Sequence, residues 1–547
     1  RKRGTFPDPQ KRVFINDAVC EGCGDCSVKS NCVSVQPLET EFGRKRQIDQ
    51  SNCNKDYSCV NGFCPSFVTV HGGGVRKAKK AGPAQAGDAL FDNLPAPRIP
   101  SAAEPYGILI TGIGGTGVVT IGALLGMASH IEGKGVSVLD MAGLAQKNGA
   151  VTSHIRIADN PDDLHAVRIA TGGSKLLLGC DIVVAAGAEA LATLNQGVSS
   201  VVANSYVVPT ASFIADQALD FRAEGMVQRL KQAAGEEHAH FVDATRLATA
   251  LMGDSIATNL FMLGYAFQKG LVPLSEDSLM RAVEINGVAV EANRRAFALG
   301  RLAAHDPAAV QTVAEPLMRK PEVAALSQSF DELVTRRVGV LTDYQDAAYA
   351  ARYKALVDTA AAAERERTPG MEGFAEAVAK NFFKLMAYKD EYEVARLYTS
   401  GDFLDKLNRQ FEGDFTLRFH LAPPLFARRD PDTGELQKRE YGPWVFRAFR
   451  LLAAMRRLRG TAFDIFGHTE ERCTERRLIG EYESLVREIV AGLDHDRHPL
   501  AVQLAEVPER IKGFGHVKER NLTAAKAAEA ELLAAFRSPA QRASAAE

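Results

Sequence analysis

The sequence predicts an α/β protein in three parts: a small cysteine-rich module, a doubly wound Rossmann-like domain, and a mainly α-helical C-terminal domain with a small β hairpin. Three observations carry this reading. Seven of the nine cysteines fall between Cys20 and Cys64. A glycine cluster, G-I-G-G-T-G from Gly112 to Gly117, follows an apolar run and opens a second one of helical length. From about residue 305 the composition turns to Ala, Arg and Glu, which are good helix formers, around a single alternating stretch, F-T-L-R-F-H-L-A from Phe415 to Ala422.

The cysteines run C-x2-C-x2-C at Cys20, Cys23 and Cys26, then Cys32, Cys53, Cys59 and finally Cys64 before Pro65. Three thiolates in one short loop can wrap a corner of an iron–sulfur cube, and a distant Cys-Pro supplies the fourth ligand. Residues 1–70 are therefore expected to form a ferredoxin-like iron–sulfur module, with Cys20, Cys23, Cys26 and Cys64 around one [4Fe–4S] cluster. Cys32, Cys53 and Cys59 read as an incomplete second set, because five residues rather than three separate Cys26 from Cys32. They are open to a second cluster or to a plain core role. Zinc and disulfides are the alternatives. Structural zinc prefers two separated C-x2-4-C pairs, and disulfide frameworks belong to short secreted chains.

At 547 residues there is room for three or four domains. A net charge of −2 gives no overall pull towards nucleic acid or an anionic membrane. Thiol-rich ligand sets suit a reducing cytosol, so a cytoplasmic location is expected. The N-terminus, Arg1 to Thr5, leads into polar sequence without the apolar core of a signal peptide and without an initiating Met. This suggests a processed product or the back part of a longer chain. Gly107 to Ile131 holds no Asp, Glu, Lys or Arg over 25 residues, long enough for a membrane span, but its seven glycines fit a strand, a turn and a helix better.

Residues 71–105, rich in Gly, Pro and Ala, read as a linker with a basic patch from Arg76 to Lys80. Residues 106–304 follow as the Rossmann-like domain: a strand at Tyr106–Thr111, the glycine turn, a helix to about Ile131, and a strand from Gly135 to Leu139 that ends at Asp140. Gly112, Gly114, Gly115 and Gly117 permit close backbone approach, and the helix N-terminus offers N–H groups to an anion. The spacing departs from G-x-G-x-x-G, which leaves open whether the turn holds a dinucleotide or only packs. Further parallel strands are expected at Val151–Ile157, Ile182–Ala186, Ser200–Ala203 and His240–Val242. The loop from Gly143 to Val151 places Gln146, Lys147 and Asn148 at the ligand edge, to meet a phosphate or a partner domain. Asn259 to Pro273 reads as a core helix.

In residues 305–547, Pro431 to Glu435 marks a hairpin turn. Trp444 to Arg459 reads as a basic amphipathic helix whose arginines (Arg447, Arg450, Arg456, Arg457, Arg459) form a charged outer face, with an acidic partner or a cofactor phosphate as the alternative. His516 reads as structural. The sequence holds no thiamine-binding G-D-G…N-N pattern, no G-x-S-x-G, no Walker A loop and no H-E-x-x-H. No catalytic residue is assigned. The chain looks like an electron-carrying part of an enzyme.

Taken together, these segments resemble the C-terminal half of the fused indolepyruvate (arylpyruvate):ferredoxin oxidoreductases, in the 2-oxoacid:ferredoxin oxidoreductase superfamily. The resemblance rests on Cys20 to Phe67, Gly112 to Thr120, Met141 to Val151, Gly253 to Asn259, Leu458 to Gly467 and Gly513 to Leu522, in that order. It implies that thiamine diphosphate and Mg2+ sit on an N-terminal half or separate subunit. It also implies oxidative decarboxylation of an aryl 2-oxo acid, with coenzyme A as co-substrate, to an arylacetyl-CoA and CO2. Electrons would leave singly through the iron–sulfur centre to ferredoxin. Residues 106–304 would correspond to the family's γ domain. Residues 305–547 are expected to buttress it and to help form a homodimer of the whole enzyme. Two readings compete: an NAD(P)-linked iron–sulfur reductase using Gly112, Gly114, Gly117 and Asp140, and a non-catalytic cluster-bearing scaffold.

Overall fold

The computed structural model describes residues 9–32, 34–50, 53–76, 91, 94–114, 117–142, 149–207, 223–317, 326–423, 431 and 436–538. It divides the chain into two compact units: Arg1–Ser30, Ser34–Arg76 and Glu322–Glu547 form one, and Asn31–Val33 with Lys77–Pro321 the other. No helix among the described residues is long and apolar enough to cross a membrane.

The unit containing residues 77–321 is a mixed sheet with helices. Its strands are β5 (Tyr106–Ile113), β6 (Gly135–Ala142), β7 (Ala150–Ala158), β8 (Leu176–Gly179), β9 (Ser200–Asn204) and β10 (Ala239–Val242), in the order β10-β9-β8-β5-β7-β6. The central strand β5, Y-G-I-L-I-T-G-I, is buried along its whole length, as a strand covered on both faces must be. β8, β9 and β10 extend it in parallel. Two strand expectations are corrected. The segment Val151–Ile157 is a strand, but it runs antiparallel to both β5 and β6. Only residues 143–149 separate it from β6, too few for the crossover that parallel neighbours need. Ile182–Ala186 is a helical turn rather than a strand, because Asp181 accepts a hydrogen bond from the Val184 N–H at 2.9 Å and caps it. The strand is the preceding apolar run, Leu176–Gly179.

The helix Val118–Ile131 packs on the sheet where Gly122 leaves room, since a Cβ there would lie 2.6 Å from Ser153 Oγ. The expected core helix, Thr258–Gln268, is buried from Thr258 to Phe267. It crosses Val290–His305 at two glycines: a Cβ on Gly264 would meet the Phe297 carbonyl at 2.0 Å, and one on Gly300 the Phe261 carbonyl at 1.9 Å.

The other unit joins the cysteine segment to the C-terminal region. β1 (Lys11–Ile15), β4 (Phe67–Val75), β11 (Phe411–Leu421) and β12 (Arg439–Tyr441) make one antiparallel sheet in the order β1-β4-β11-β12. The H-G-G-G stretch expected to begin a linker instead continues β4. Gly72 and Gly73 have φ of +82° and +62°, and side chains there would strike the carbonyls of Asp414 and Glu412 at 2.8 and 2.7 Å. The glycines thus admit the bulge between Glu412 and Phe415. Arg76, from the expected basic patch, donates to the Asn408 carbonyl at 3.0 Å, while Lys77 to Lys80 lie outside the described residues. Asp432 to Glu435 of the expected hairpin turn also lie outside them.

A second hairpin, β2 (Val35–Thr40) with β3 (Gly43–Ile48), sits against the helical core through the Phe42–Phe383 stack. That core is built on Tyr353, Phe374, Phe382, Tyr482 and their neighbours. The basic helix spans Val445–Ala454 and tightens to a 3-10 turn at Met455–Leu458. Arg459 does not belong to its charged outer face. It is buried, with Nε 2.5 Å and Nη2 2.9 Å from the Asp390 carboxylate and its guanidinium 3.7 Å above the Tyr344 ring.

Candidate iron–sulfur site

β1 and β4 lie side by side, so the cysteine loops hang from one end of their pair. Asn16 closes the first turn: its carbonyl accepts from the Cys20 N–H at 2.9 Å, and its own N–H donates to Ser66 O at 2.9 Å. Gly22 and Gly24, at φ of +69° and +73°, let C-E-G-C-G-D-C curl back on itself. Asp25 opens the short helix Asp25–Ser30 and accepts the Phe63 N–H at 2.7 Å, which ties the first loop to the Cys64 turn. Gly62 completes the tie, because a Cβ there would sit 2.7 Å from the Cys26 Cα.

The result is that Cys20, Cys23, Cys26 and Cys64 line one cavity, together with Arg46, Phe63 and Phe67. Among the described residues no three His, Cys, Asp or Glu side chains converge closely enough to hold a single metal ion. A zinc site gathers its sulfurs about 2.3 Å from one point. A cubane takes one thiolate on each of its irons and so spreads them around a volume. Four thiols lining one cavity are the kind of donor set a [4Fe–4S] cluster takes.

The thiols are costly to ionise on their own. Burial, reinforced by Cys64, pushes the Cys23 and Cys26 thiols well above their ordinary range. Burial also raises Cys64, against the pull of the Lys438 ammonium. Iron can supply the charge that keeps such groups as thiolates. Donors are already aimed at sulfur: the Gly22 N–H lies 3.3 Å from Cys20 Sγ, and Ser66 Oγ lies 2.9 Å from Cys64 Sγ. Arg46 is 1% exposed and lines the same cavity; burial lowers the pKa of its guanidinium, against the opposing pull of Cys26, Cys20 and Cys23.

The C-terminal region supplies the support. Lys438 donates to the carbonyls of Val60 at 2.7 Å and Gly62 at 2.6 Å. Tyr398 Oη donates to Pro65 O at 2.6 Å, and Lys389 donates to Cys20 O at 3.0 Å. Sequence reasoning missed Arg46, Lys389, Tyr398 and Lys438. Three of them lie more than 300 residues from the cysteines they support, and none stands in a recognisable motif.

Cys32, Cys53 and Cys59 do not line the cavity. Cys32 and Cys59 are buried, Cys59 within the 3-10 turn Ser58–Asn61, and Cys53 is half-buried. The His516 ring lies 4.7 Å from that of Phe63, tilted by 46°. In the other unit Gly112 lies one residue before the end of β5, opposite Val151, the Gly114 N–H donates to Gly149 O at 3.0 Å, and Gly117, at φ +100°, precedes the following helix. Gly115, Gln146, Lys147 and Asn148 lie outside the described residues. Asp140 accepts from Ser153 Oγ at 2.6 Å.

Residues 107–303 match the family described as pyruvate ferredoxin/flavodoxin oxidoreductase, and residues 330–531 match a family of unknown function, DUF6537. The chain is 28% identical over 207 residues to the indolepyruvate oxidoreductase subunit IorB of Thermococcus kodakarensis, covering 98% of that protein and 37% of this chain. It is equally 28% identical, over 210 residues, to the IorB subunit of Pyrococcus horikoshii, again covering 98% of it. Among solved structures, the γ subunit of a keto/oxoacid ferredoxin oxidoreductase from Geobacter sulfurreducens aligns at 21% identity and a TM-score of 0.27, over 37% of this chain and 98% of that one. Residues 107–303 are thus similar to subunits of 2-oxoacid:ferredoxin oxidoreductases.

Proposed function

We propose that the chain is the iron–sulfur and γ-domain portion of an arylpyruvate:ferredoxin oxidoreductase, with indolepyruvate or phenylpyruvate as substrate. The observation that carries this reading is the gathering of Cys20, Cys23, Cys26 and Cys64 around one cavity, in a chain whose residues 107–303 match the oxidoreductase family. The names of the 28%-identical relatives support the indolepyruvate assignment. The overall conversion takes a 2-oxo acid and coenzyme A to an acyl-CoA and CO2, and the released electron pair passes singly to ferredoxin. Thiamine diphosphate with Mg2+, on an N-terminal half or partner subunit, supplies the decarboxylation chemistry. A [4Fe–4S] cluster held by the four cysteines supplies a one-electron relay.

This chain's own residues place and tune that relay. Asp25 and Gly62 fix the two cysteine loops against each other. Arg46 and Lys438 put positive charge beside a centre that gains an electron, which favours its reduced form. The Gly22 N–H and Ser66 hydroxyl act in the same direction through sulfur. Residues 106–304 then serve as the γ domain, ferredoxin as the electron acceptor, and a homodimer of the whole enzyme in a reducing cytosol as the working assembly. A second cluster at Cys32, Cys53 and Cys59 is not part of this reading, since they stand apart from the four-cysteine cavity.

The test is reconstitution with the thiamine-binding half. Phenylpyruvate or indolepyruvate should drive coenzyme A-dependent ferredoxin reduction faster than pyruvate or 2-oxoglutarate, and Cys64→Ala should abolish it. Reduction of NAD(P) in place of ferredoxin, or undiminished turnover in Cys64→Ala, would overturn the proposal.

A further inference from the structure

The helix Val445–Ala454 has two unlike sides. Val445 and Phe449 are buried, and Phe446 and Leu452 pack beside them. Phe449 stacks on Tyr398, with ring centres 5.3 Å apart and planes 10° from parallel. Tyr398 is the residue whose hydroxyl holds the Pro65 carbonyl, so one aromatic layer joins this helix to the Cys64 turn.

The opposite side meets solvent. Trp444, Arg447, Leu451 and Ala454 recur at steps of three and four, which sets them on one face, with Arg450 at its flank. Trp444, the only tryptophan of the chain, is 63% exposed, and Leu451 is 65% exposed. Arg447, Arg450 and, in the following turn, Arg457 are exposed too, and none has an ion pair among the described residues. From Tyr441 to Phe463 the sequence holds five arginines and no Asp or Glu. Of these, Arg459 is neutralised by Asp390. Trp and Arg are the side chains that most often anchor protein interfaces. A strip of arginines with no acid among them calls for negative charge on whatever covers it. A membrane fits less well: the helix has spent most of its apolar side chains on its own core, and Arg447 stands between the two large ones left outside.

We propose that this face docks an acidic protein electron carrier, with Trp444 and Leu451 as the apolar centre and Arg447 and Arg450 as the charged rim. The inference rests on the electron-relay reading above and adds the surface at which the relay is met. The docked carrier takes one electron at a time from the four-cysteine centre, with no bond made or broken. Electron-transfer encounters use small interfaces. A local basic strip suits one, because it orients an acidic carrier on a chain whose net charge is −2.

The test is calorimetric titration of the full, iron-loaded chain with an oxidised, tryptophan-free ferredoxin of strongly negative net charge. Saturable binding that weakens as salt is added is expected. Affinity should fall by about tenfold or more in the double variant Arg447→Glu/Arg450→Glu and clearly in Trp444→Ser. It should be unchanged in Lys354→Glu, an exposed charge on another helix. A second measurement needs no variant: since Trp444 is the sole tryptophan, bound ferredoxin should slow acrylamide quenching of its emission lifetime. Iron analysis of the same sample separates the two claims. A chain without iron defeats the relay reading and, with it, the carrier as occupant. An iron-loaded chain that shows no saturable binding, keeps its affinity in Arg447→Glu/Arg450→Glu, or leaves Trp444 as open to acrylamide as before defeats the docking face alone. Tighter binding to phosphatidylserine vesicles than to ferredoxin, lost in the same double variant, would assign the face to a membrane and overturn the proposal.

Discussion

The two units reach their function by opposite routes. The unit with β5 to β10 is assembled from neighbours in sequence: strand, glycine turn, helix and strand follow one another, and its tightest contacts are backbone crossings at Gly264 and Gly300. The cysteine unit is assembled from distant pieces. β4 pairs with a strand more than 300 residues downstream, and Lys389, Tyr398 and Lys438 reach back to the cysteine loops. Both units depend on the absence of side chains at chosen points, Gly264 and Gly300 in the first and Gly62, Gly72 and Gly73 in the second. The second depends in addition on buried charge held by partners. The comparison teaches that the cysteine segment is not a self-sufficient small ferredoxin here: the C-terminal region completes both its sheet and its electrostatics.

That difference sets how each unit should fail. The largest effect is expected from Gly62→Val, which drives a side chain into the Cys26 backbone and should eliminate bound iron while leaving residues 107–303 folded, as read by iron analysis beside limited proteolysis. Next comes Arg459→Met, which strands the buried Asp390 carboxylate and should cost about 3–5 kcal/mol in denaturant unfolding of the cysteine unit. Gly264→Val forces apart the helices Thr258–Gln268 and Val290–His305 and should cost about 3 kcal/mol, this time in the other unit and with iron retained. If either of these two variants destabilised both units equally, the contrast would be broken.

Much of the local architecture was legible before the structure. The strand–turn–helix at Tyr106 to Ile131 follows from an apolar run broken by glycines, and the C-x2-C-x2-C…C-P spacing singled out the four cysteines that line one cavity. What sequence could not show is long-range pairing. H-G-G-G at residues 71–74 has the composition of a tether, and only the bulged partner strand explains it. Strand direction at Ala150–Ala158 depends on loop length rather than composition, so it was misread as parallel. Arg459 looks like its exposed neighbours until the fold buries it on Asp390 and Tyr344. Lys438 and Lys45 sit in runs of ordinary surface character, and their burial is a tertiary fact.

Two smaller predictions sharpen the contrast. Lys438→Met removes a positive charge beside the cysteines and should lower the midpoint potential of a bound cluster by roughly 40 mV, about 1 kcal/mol for a one-electron couple, without loss of iron. The smallest effect lies in the other unit, at Glu132. Burial opposes its ionisation, but hydrogen bonds from Ser278 and Ser275 hold its carboxyl down to about 2 from an ordinary value of 4.5. Because the folded value is the lower one, its stabilisation is present above pH 4.5 and lost as the pH falls towards 2. Glu132→Gln should flatten that acid limb by less than about 1 kcal/mol in pH-dependent unfolding and leave the cluster signals unchanged.

The most direct measurement is iron and sulfide analysis of the anaerobically purified chain, with EPR after dithionite reduction. The account predicts about four irons and four sulfides per chain and a single cubane signal, both lost in Cys64→Ala. Roughly seven or eight irons would bring Cys32, Cys53 and Cys59 into a second centre. Zinc without iron, or iron retained in full by Cys64→Ala, would contradict the four-cysteine cluster.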